Sequence, residues 1–305
     1  MTLNQKRLDS IRRERFLLEK RFKSKAVSNN PKVRIRTPLG ITKDYQRAII
    51  KTLKIAKEEI EIQVVPYLST LQSQFESTRP NLDAHLDNDF MVAEKVTGIF
   101  NAVRLAVAKK ASDYAVNAIV ESFANAINIW NKKEVLSAFK QGMGIDLFKG
   151  ETFLKEELNL WAIQNVNLVK DVSVQFINQS EQLVLDGLRR GIRSEQIGKR
   201  ILQTTDLDKG RYKTAETRAK IIGRDQVSKL NGTLNRLRQT ETGVTKYVWR
   251  TVGDARVRDT HASNNGKEFT WREGWEGLHP GDDYNCRCFA EPIFTSIKGL
   301  EDFKF

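Results

Sequence analysis

The segment KYVWRTVGDARVRDTH, residues 246–261, separates two parts of the chain that differ in character. Its first six residues alternate, with Tyr247, Trp249 and Thr251 on one face, and this pattern predicts a β-strand. The residues from 252 to 292 are rich in Gly, Asp, Asn and His, so we expect short elements and many turns there. Such a segment buries little aliphatic surface, and we therefore expect it to need a second source of stability.

Upstream of this segment, apolar residues recur at the i, i+3, i+4 spacing that is typical of packed helices. The pattern predicts helices over about 44–65, 89–130 with one polar break, 153–188 and 215–239, and a short helix from Ser194. Thr42 or Asp44 is the expected cap of the first helix. We therefore predict a mainly α fold, with an elongated helical N-terminal region and a small α+β, loop-rich C-terminal module. The predicted divisions are a basic flexible arm at 1–40, a helical domain at 41–190 and the C-terminal module at 191–305.

The net charge of +13 is concentrated at the N-terminus. Residues 1–36 contain twelve Lys or Arg and three Asp or Glu, a net charge of +9. A basic arm attracts polyanions by counterion release, whatever their sequence. The alternative is a solvated leader that only keeps the protein soluble. The candidate polyanion-binding residues are Arg12, Arg13, Arg15, Lys20, Arg21, Lys23 and Lys25.

Composition excludes several protein classes. With 40% hydrophobic residues, the chain has enough apolar content to fold, and no run of about 18 apolar residues predicts a membrane span. The basic N-terminus is not followed by the apolar stretch of a secretory signal, and two cysteines are too few for a disulfide scaffold. We find no P-loop, no H-E-x-x-H pair, no nucleophile elbow and no dinucleotide loop, so no catalytic residues are assigned.

Two of the three histidines and both cysteines lie close together, in the pattern His261-x17-His279-x6-Cys286-x-Cys288. Two imidazoles and two thiolates would complete the tetrahedral shell of one structural Zn²⁺, which would stabilise the loop-rich segment. Asp259, Asp282 or Asp283 is an alternative to one of these ligands. The competing interpretation has no metal: the cysteines are small buried apolar groups, and the histidines make turn hydrogen bonds.

Acidic and basic residues precede His261 at fixed steps. Arg256 and Arg258 share one side of an extended segment, where their guanidinium groups can hold Asp254 or a carboxylate on a neighbouring helix. Together with Arg287, these residues are predicted to form a structural clamp or, alternatively, a phosphate or partner contact.

The order of these motifs resembles the Mu F-like family, also called the minor head or phage head morphogenesis family. The resemblance rests on YVWRTVGDARVRDTHASNNGKEF (247–269), HPGDDYNCRC (279–288) and the preceding helix ETRAKIIGRDQVSKLNGT (216–233), and it covers about residues 190–292. The matching positions are Arg218, Ala219, Ile222, Arg224, Trp249, Asp254, Arg256, Val257, Arg258, His261, Gly266, His279, Pro280, Gly281, Asn285, Cys286, Arg287 and Cys288. The family's Thr-Glu pair is Asp225-Gln226 here.

The resemblance implies a minor capsid protein of a tailed bacteriophage. Such a protein would associate with the portal protein, with a scaffold or major capsid protein as further partners. It would reside in the phage head after assembly in the bacterial host cytoplasm and could contact packaged double-stranded DNA; no membrane is implied. Two alternatives remain open: a metal-dependent hydrolase or nuclease that uses the His/Asp/Cys cluster, and a non-specific nucleic-acid-binding protein. We expect no enzymatic reaction.

Overall fold

A computed structural model of the protein describes residues 35–77, 85–143, 151, 154–202 and 211–297. In these ranges the chain is mostly helical, with a three-stranded sheet near the C-terminus. The helices are α1 (Leu39–Gln63), α2 (Leu68–Ser77), α3 (His85–Lys110), α4 (Asp113–Met143), α5 (Lys155–Arg189), α6 (Ser194–Leu202), α7 (Arg211–Glu241) and the single turn α8 (Asp259–Ala262). The strands are β1 (Lys246–Arg250), β2 (Glu268–Thr270) and β3 (Phe289–Pro292).

The predicted mainly α fold with a small C-terminal α+β module is confirmed. The helix predicted from Thr42 or Asp44 begins earlier, at Leu39, so neither residue caps it. The hydroxyl of Thr42 instead donates to the Pro38 carbonyl, 2.9 Å away, within the first turn. The polar break predicted between 89 and 130 is the short link between α3 and α4, and α4 runs on to Met143, beyond the predicted end at 130.

The long helices bury their apolar stripes in one shared core. Ile49 and Leu53 of α1, Phe100 of α3 and Phe176 of α5 are each at most 1% exposed in this core. Leu234 of α7 belongs to the same cluster. The predicted division between residues 190 and 191 therefore passes through a single hydrophobic core.

The sheet forms a second, smaller core. Strand β1 is central and pairs antiparallel with both β2 and β3, with Tyr247 opposite Phe269 and Trp249 opposite Ala290. Tyr247 and Trp249 are almost fully buried, as the alternation of the strand predicts. Phe139, from the end of α4, packs edge-on against Phe294 with ring centroids 5.1 Å apart, so a long helix also contributes to this core.

A buried polar layer joins α4 to α7. The side-chain amide of Asn131 donates to the Asn231 side-chain oxygen at 2.9 Å. Arg238, which is fully buried, donates to Glu151 at 2.8 Å and to Asn128 at 2.6 Å. Buried polar groups are tolerated where their hydrogen bonds are made, and such satisfied networks fix one arrangement of the helices. Helix α7 thus connects the helical core to the C-terminal module.

Two glycines allow α7 to approach the loop before β3. A Cβ atom on Gly232 would lie 2.7 Å from the Pro280 carbonyl oxygen. Gly281 has φ of +105°, and a Cβ there would lie 3.0 Å from the Gly232 Cα. Only glycine fits this contact without a shift of the backbone.

Among the described residues, no helix combines the length and the apolarity needed to cross a membrane.

Candidate metal centre in the C-terminal module

Three of the four predicted metal ligands converge on one point. The Nδ1 atom of His261 lies 3.6 Å from Sγ of Cys286 and 3.5 Å from Sγ of Cys288. The three side chains are at most 8% exposed. Their ligand atoms lie within 4.8 Å of one another, and in the described part of the chain they are the one group of His, Cys, Asp and Glu residues with metal-binding geometry.

The sheet register brings these residues together. Arg250 at the end of β1 pairs with Phe289 at the start of β3, so the chain leaves β1 and enters β3 at the same end of the sheet. His261 lies in α8, shortly after β1, and Cys288 directly precedes β3. The centre therefore joins the two ends of the long connection between these strands.

Asp283 orients the imidazole of His261. The Nε2 atom lies 3.2 Å from a carboxylate oxygen of Asp283. Arg258 contacts the same carboxylate and also donates to the Tyr284 carbonyl at 2.6 Å. If Nε2 carries the proton that Asp283 accepts, the lone pair of Nδ1 faces the two sulfur atoms. This is the tautomer that a metal-binding histidine with a carboxylate partner adopts.

The two thiols are electrostatically linked. A hydrogen bond from the Cys288 thiol lowers the pKa of Cys286 to about 6, against the opposing effect of burial. The Gly281 amide, 3.4 Å from the Cys286 sulfur, also favours the thiolate. The same thiol pair and burial raise the pKa of Cys288. The arrangement thus favours a thiolate on Cys286 over one on Cys288.

Trp249 forms one wall of the centre. Its ring is 1% exposed and packs edge-on against the His261 ring, with centroids 5.5 Å apart. Its indole N–H has no hydrogen-bond partner among the described residues. That N–H nevertheless lies close enough to Cys288 to lower the pKa of the thiol, although burial and Cys286 outweigh this effect.

His279 lies apart from the other three predicted ligands. Its Nδ1 atom is 3.0 Å from the Tyr247 hydroxyl, and its ring packs against Trp271 with centroids 5.1 Å apart. Burial lowers the pKa of His279 and so favours the neutral ring, whose Nδ1 accepts a hydrogen bond from the Tyr247 hydroxyl when Nε2 carries the proton. The carboxylate of Asp282 accepts from the His279 amide at 2.9 Å. The four-ligand set predicted from the sequence is thus not assembled. Neither alternative ligand replaces His279, because Asp282 bonds to the His279 backbone and Asp259 lies at the start of α8, outside the ligand group.

The clamp at Asp254 is formed by Arg287, and the prediction that the Arg256 and Arg258 side chains hold Asp254 is wrong, since Arg258 pairs with Asp283 instead. Both guanidinium Nη atoms of Arg287 contact the Asp254 carboxylate, and this hydrogen bonding lowers the pKa of Asp254 to about 2. The backbone N–H of Arg256 donates to the same carboxylate at 3.1 Å, while its side chain is exposed. Since Arg287 lies between the two cysteines, the clamp and the candidate metal centre fix the same short segment.

Helix α7 provides contacts that the motif analysis missed. Asp225 accepts from the Asn285 amide at 2.6 Å, and Arg224 donates to the Asn285 side chain at 3.1 Å. Asn285 has φ of +53°, a conformation in which asparagine is well tolerated. Asn235 and Gln239 both donate to the Ala290 carbonyl at 3.0 Å. Asp225, which departs from the family pattern, therefore positions the turn that precedes Cys286.

The predicted polyanion-binding residues Arg12, Arg13, Arg15, Lys20, Arg21, Lys23 and Lys25 lie outside the described residues. A second basic group is present where α5 meets α6. The exposed basic residues of this segment are Arg189, Arg190, Arg193, Lys199 and Arg200, and the exposed acids Asp186 and Glu195 lie among them. The excess of positive charge in residues 1–36 dominates the net charge, so the overall composition does not reveal this second group.

Residues 178–291 match a family described as phage Mu protein F like protein. A protein of Haemophilus influenzae, described as an uncharacterized protein, is 32% identical over 182 residues. This similarity covers 58% of the chain and 39% of that protein, so the chain spans about two fifths of the relative's length. No solved structure matches the chain.

Proposed function

Because residues 178–291 match the phage Mu protein F-like family, we propose that the chain is a minor head protein that associates with the portal vertex of a tailed bacteriophage. The family match supports a role in phage head morphogenesis and a place in the virion. It is the observation that carries the proposal, since the matched region contains α7, the sheet and the candidate metal centre. The role requires no chemical reaction.

Exposed apolar side chains on α5 supply a surface for a protein partner. Leu160 and Ile163 are 56% and 63% exposed, and a spacing of three residues places them on the same side of the helix. Contiguous exposed apolar patches mark protein interfaces, whereas single exposed apolar residues are ordinary on a protein surface. We assign this surface to the portal protein, the partner that the family implies.

Co-expression with the portal protein of the same phage tests the assignment. We expect the chain to co-purify with the portal, and the double substitution Leu160→Lys/Ile163→Lys to reduce that recovery at least tenfold. The matched control is Ile62→Lys, at a position on α1 that is 64% exposed. Failure of the unmodified chain to bind the portal would reject the portal role. Equal portal binding by the unmodified chain, the double variant and Ile62→Lys would instead mean that the portal contacts another surface of the chain.

Two basic groups support contact with packaged DNA. One is the arm at 1–36, with a net charge of +9, and the other is the exposed group at the junction of α5 and α6. Phosphate contacts by Lys and Arg release counterions, so affinity should fall steeply with salt and depend little on sequence.

Fluorescence anisotropy with double-stranded DNA separates the two groups. Deletion of residues 1–34 should reduce the slope of log affinity against log salt more than Arg190→Gln/Arg193→Gln/Lys199→Gln does. Binding that is insensitive to salt would contradict a phosphate-based contact.

A metal-dependent hydrolase is the second candidate. Three protein ligands with one open position are typical of catalytic zinc, and His261, Cys286 and Cys288 provide three. The burial of all three ligands argues against access by DNA. Zinc-dependent DNA cleavage that is lost in His261→Gln would favour this candidate over the structural role.

A further inference from the structure

We propose that His261, Cys286 and Cys288 bind one structural Zn²⁺ ion, which holds the connection between β1 and β3 against the sheet. The proposal depends on the geometry of these residues and does not require the head role. It replaces the four-ligand set expected from the sequence with three ligands and assigns His279 to the apolar core.

The distances fit a tetrahedral metal. Zn–N bonds of about 2.0–2.1 Å and Zn–S bonds of about 2.3 Å at a tetrahedral angle separate N from S by about 3.6 Å. The observed separations from Nδ1 are 3.6 Å to Cys286 and 3.5 Å to Cys288. A metal equidistant from the two sulfur atoms reproduces both values at once.

Hydrogen bonding alone explains this arrangement less well. With Nε2 donating to Asp283, Nδ1 has a single lone pair in the ring plane and can accept only one thiol proton at good geometry. Nearly equal distances from Nδ1 to the sulfur atoms of Cys286 and Cys288 are instead expected when these three atoms bind one cation. Binding would release the thiol protons, because the metal ligands are thiolates.

The surroundings of the three ligands favour a thiolate-bound cation. Asp283 supplies the carboxylate that commonly orients a metal-binding imidazole. The Gly281 amide donates to the Cys286 sulfur at 3.4 Å. The buried ring of Trp249, whose indole N–H has no partner in the described part of the chain, packs edge-on against His261. A donor such as the Gly281 amide stabilises the negative charge that zinc-bound sulfur retains.

The ligand chemistry selects the metal. Two thiolates and one imidazole prefer a soft, tetrahedral cation over Mg²⁺ or Ca²⁺, which require oxygen ligands. The described His, Cys, Asp and Glu residues supply three positions of the shell, which leaves one for a non-protein ligand such as water. A structural role follows from the location, since the ligands join two strands that are separated by 38 residues, those between Arg250 and Phe289.

Elemental analysis of the full chain tests the proposal. Protein expressed with added zinc and purified without chelators should contain about one zinc per chain. His261→Gln and the double variant Cys286→Ser/Cys288→Ser should lose at least nine tenths of it. The matched control is His279→Gln, since His279 is a buried histidine of the same module that bonds to Tyr247. This variant should keep the metal.

A second measurement avoids variants that fail to fold. Protein stripped with a chelator and reloaded with Co²⁺ should show the near-ultraviolet absorption that thiolate-to-cobalt charge transfer produces. Asp283→Asn should weaken zinc binding by about 10–100-fold in competition with a chromophoric chelator, as removal of such an orienting carboxylate does. Unmodified protein with neither zinc nor a cobalt–thiolate band would overturn the proposal. Loss of metal from His279→Gln equal to the loss from His261→Gln would overturn the ligand assignment.

Discussion

Helix α7 packs closely against the Pro280–Gly281 turn at Gly232, whereas Gly98 of α3 has open space around it. We therefore expect substitution by alanine to change the free energy of unfolding in opposite directions at these two glycines. Replacing Gly232 with alanine would place a Cβ atom 2.7 Å from the Pro280 carbonyl oxygen and 3.1 Å from the Gly281 Cα. Both neighbours are backbone atoms, which cannot rotate away. Such overpacking costs about 1–3 kcal/mol, whereas alanine gains about 1 kcal/mol over glycine inside a helix. We therefore expect Gly232→Ala to lower the free energy of unfolding by up to about 2 kcal/mol.

Gly98→Ala is the control for helix propensity. Gly98 is an exposed residue within α3, and nothing lies within 4 Å of a Cβ built there. This substitution should raise the free energy of unfolding by about 0.5–1 kcal/mol. Urea denaturation of the two variants beside the unmodified chain gives both values. A Gly232→Ala variant that is stabilised as much as Gly98→Ala would refute the close packing of α7 against the module.

Three further predictions concern polar contacts of the module. The pKa of Asp254 is lowered to about 2 from 3.8, so its ion pair with Arg287 contributes stability above pH 3.8 that is lost as the pH falls towards 2. The difference in unfolding free energy between Asp254→Asn and the unmodified chain, measured in urea, should therefore shrink between pH 3.8 and pH 2. Tyr247→Phe leaves the buried His279 nitrogen without its donor and should cost about 1–3 kcal/mol in the same assay; an unchanged midpoint would exclude that hydrogen bond. Gln239→Leu leaves the indole N–H of Trp271 unpaired, and we expect a comparable loss by chemical denaturation together with a shift in tryptophan emission.

Helices could be predicted from the sequence because their periodicity is a local property. The repeat that includes Val92, Val96 and Phe100 predicts the buried face of α3 without reference to the rest of the chain. The boundary at residue 190 could not be predicted in this way. Leu188 and Leu234 lie on opposite sides of it in sequence but contribute to one core, and only the tertiary arrangement shows this.

The candidate metal centre was predictable only in part. Clustering of His and Cys along the chain indicates the region, but spacing does not determine which of two histidines faces the thiols. The register of β1 with β3 selects His261, and the Tyr247 hydroxyl holds His279 in the apolar core. The contacts of Asp225 and Gln239 also escaped prediction, since a polar residue on a helix has no sequence pattern that identifies a distant backbone partner.

The protein composition of assembly intermediates tests the central claim, a role in head morphogenesis, most directly. Procapsids and filled heads of the phage that encodes this chain can be purified and analysed by quantitative mass spectrometry, with the portal and major capsid proteins as internal references. The account predicts that the chain is present in both particles, at a copy number far below that of the major capsid protein. Its absence from procapsids and heads, in cells that contain the chain in soluble form, would contradict the account.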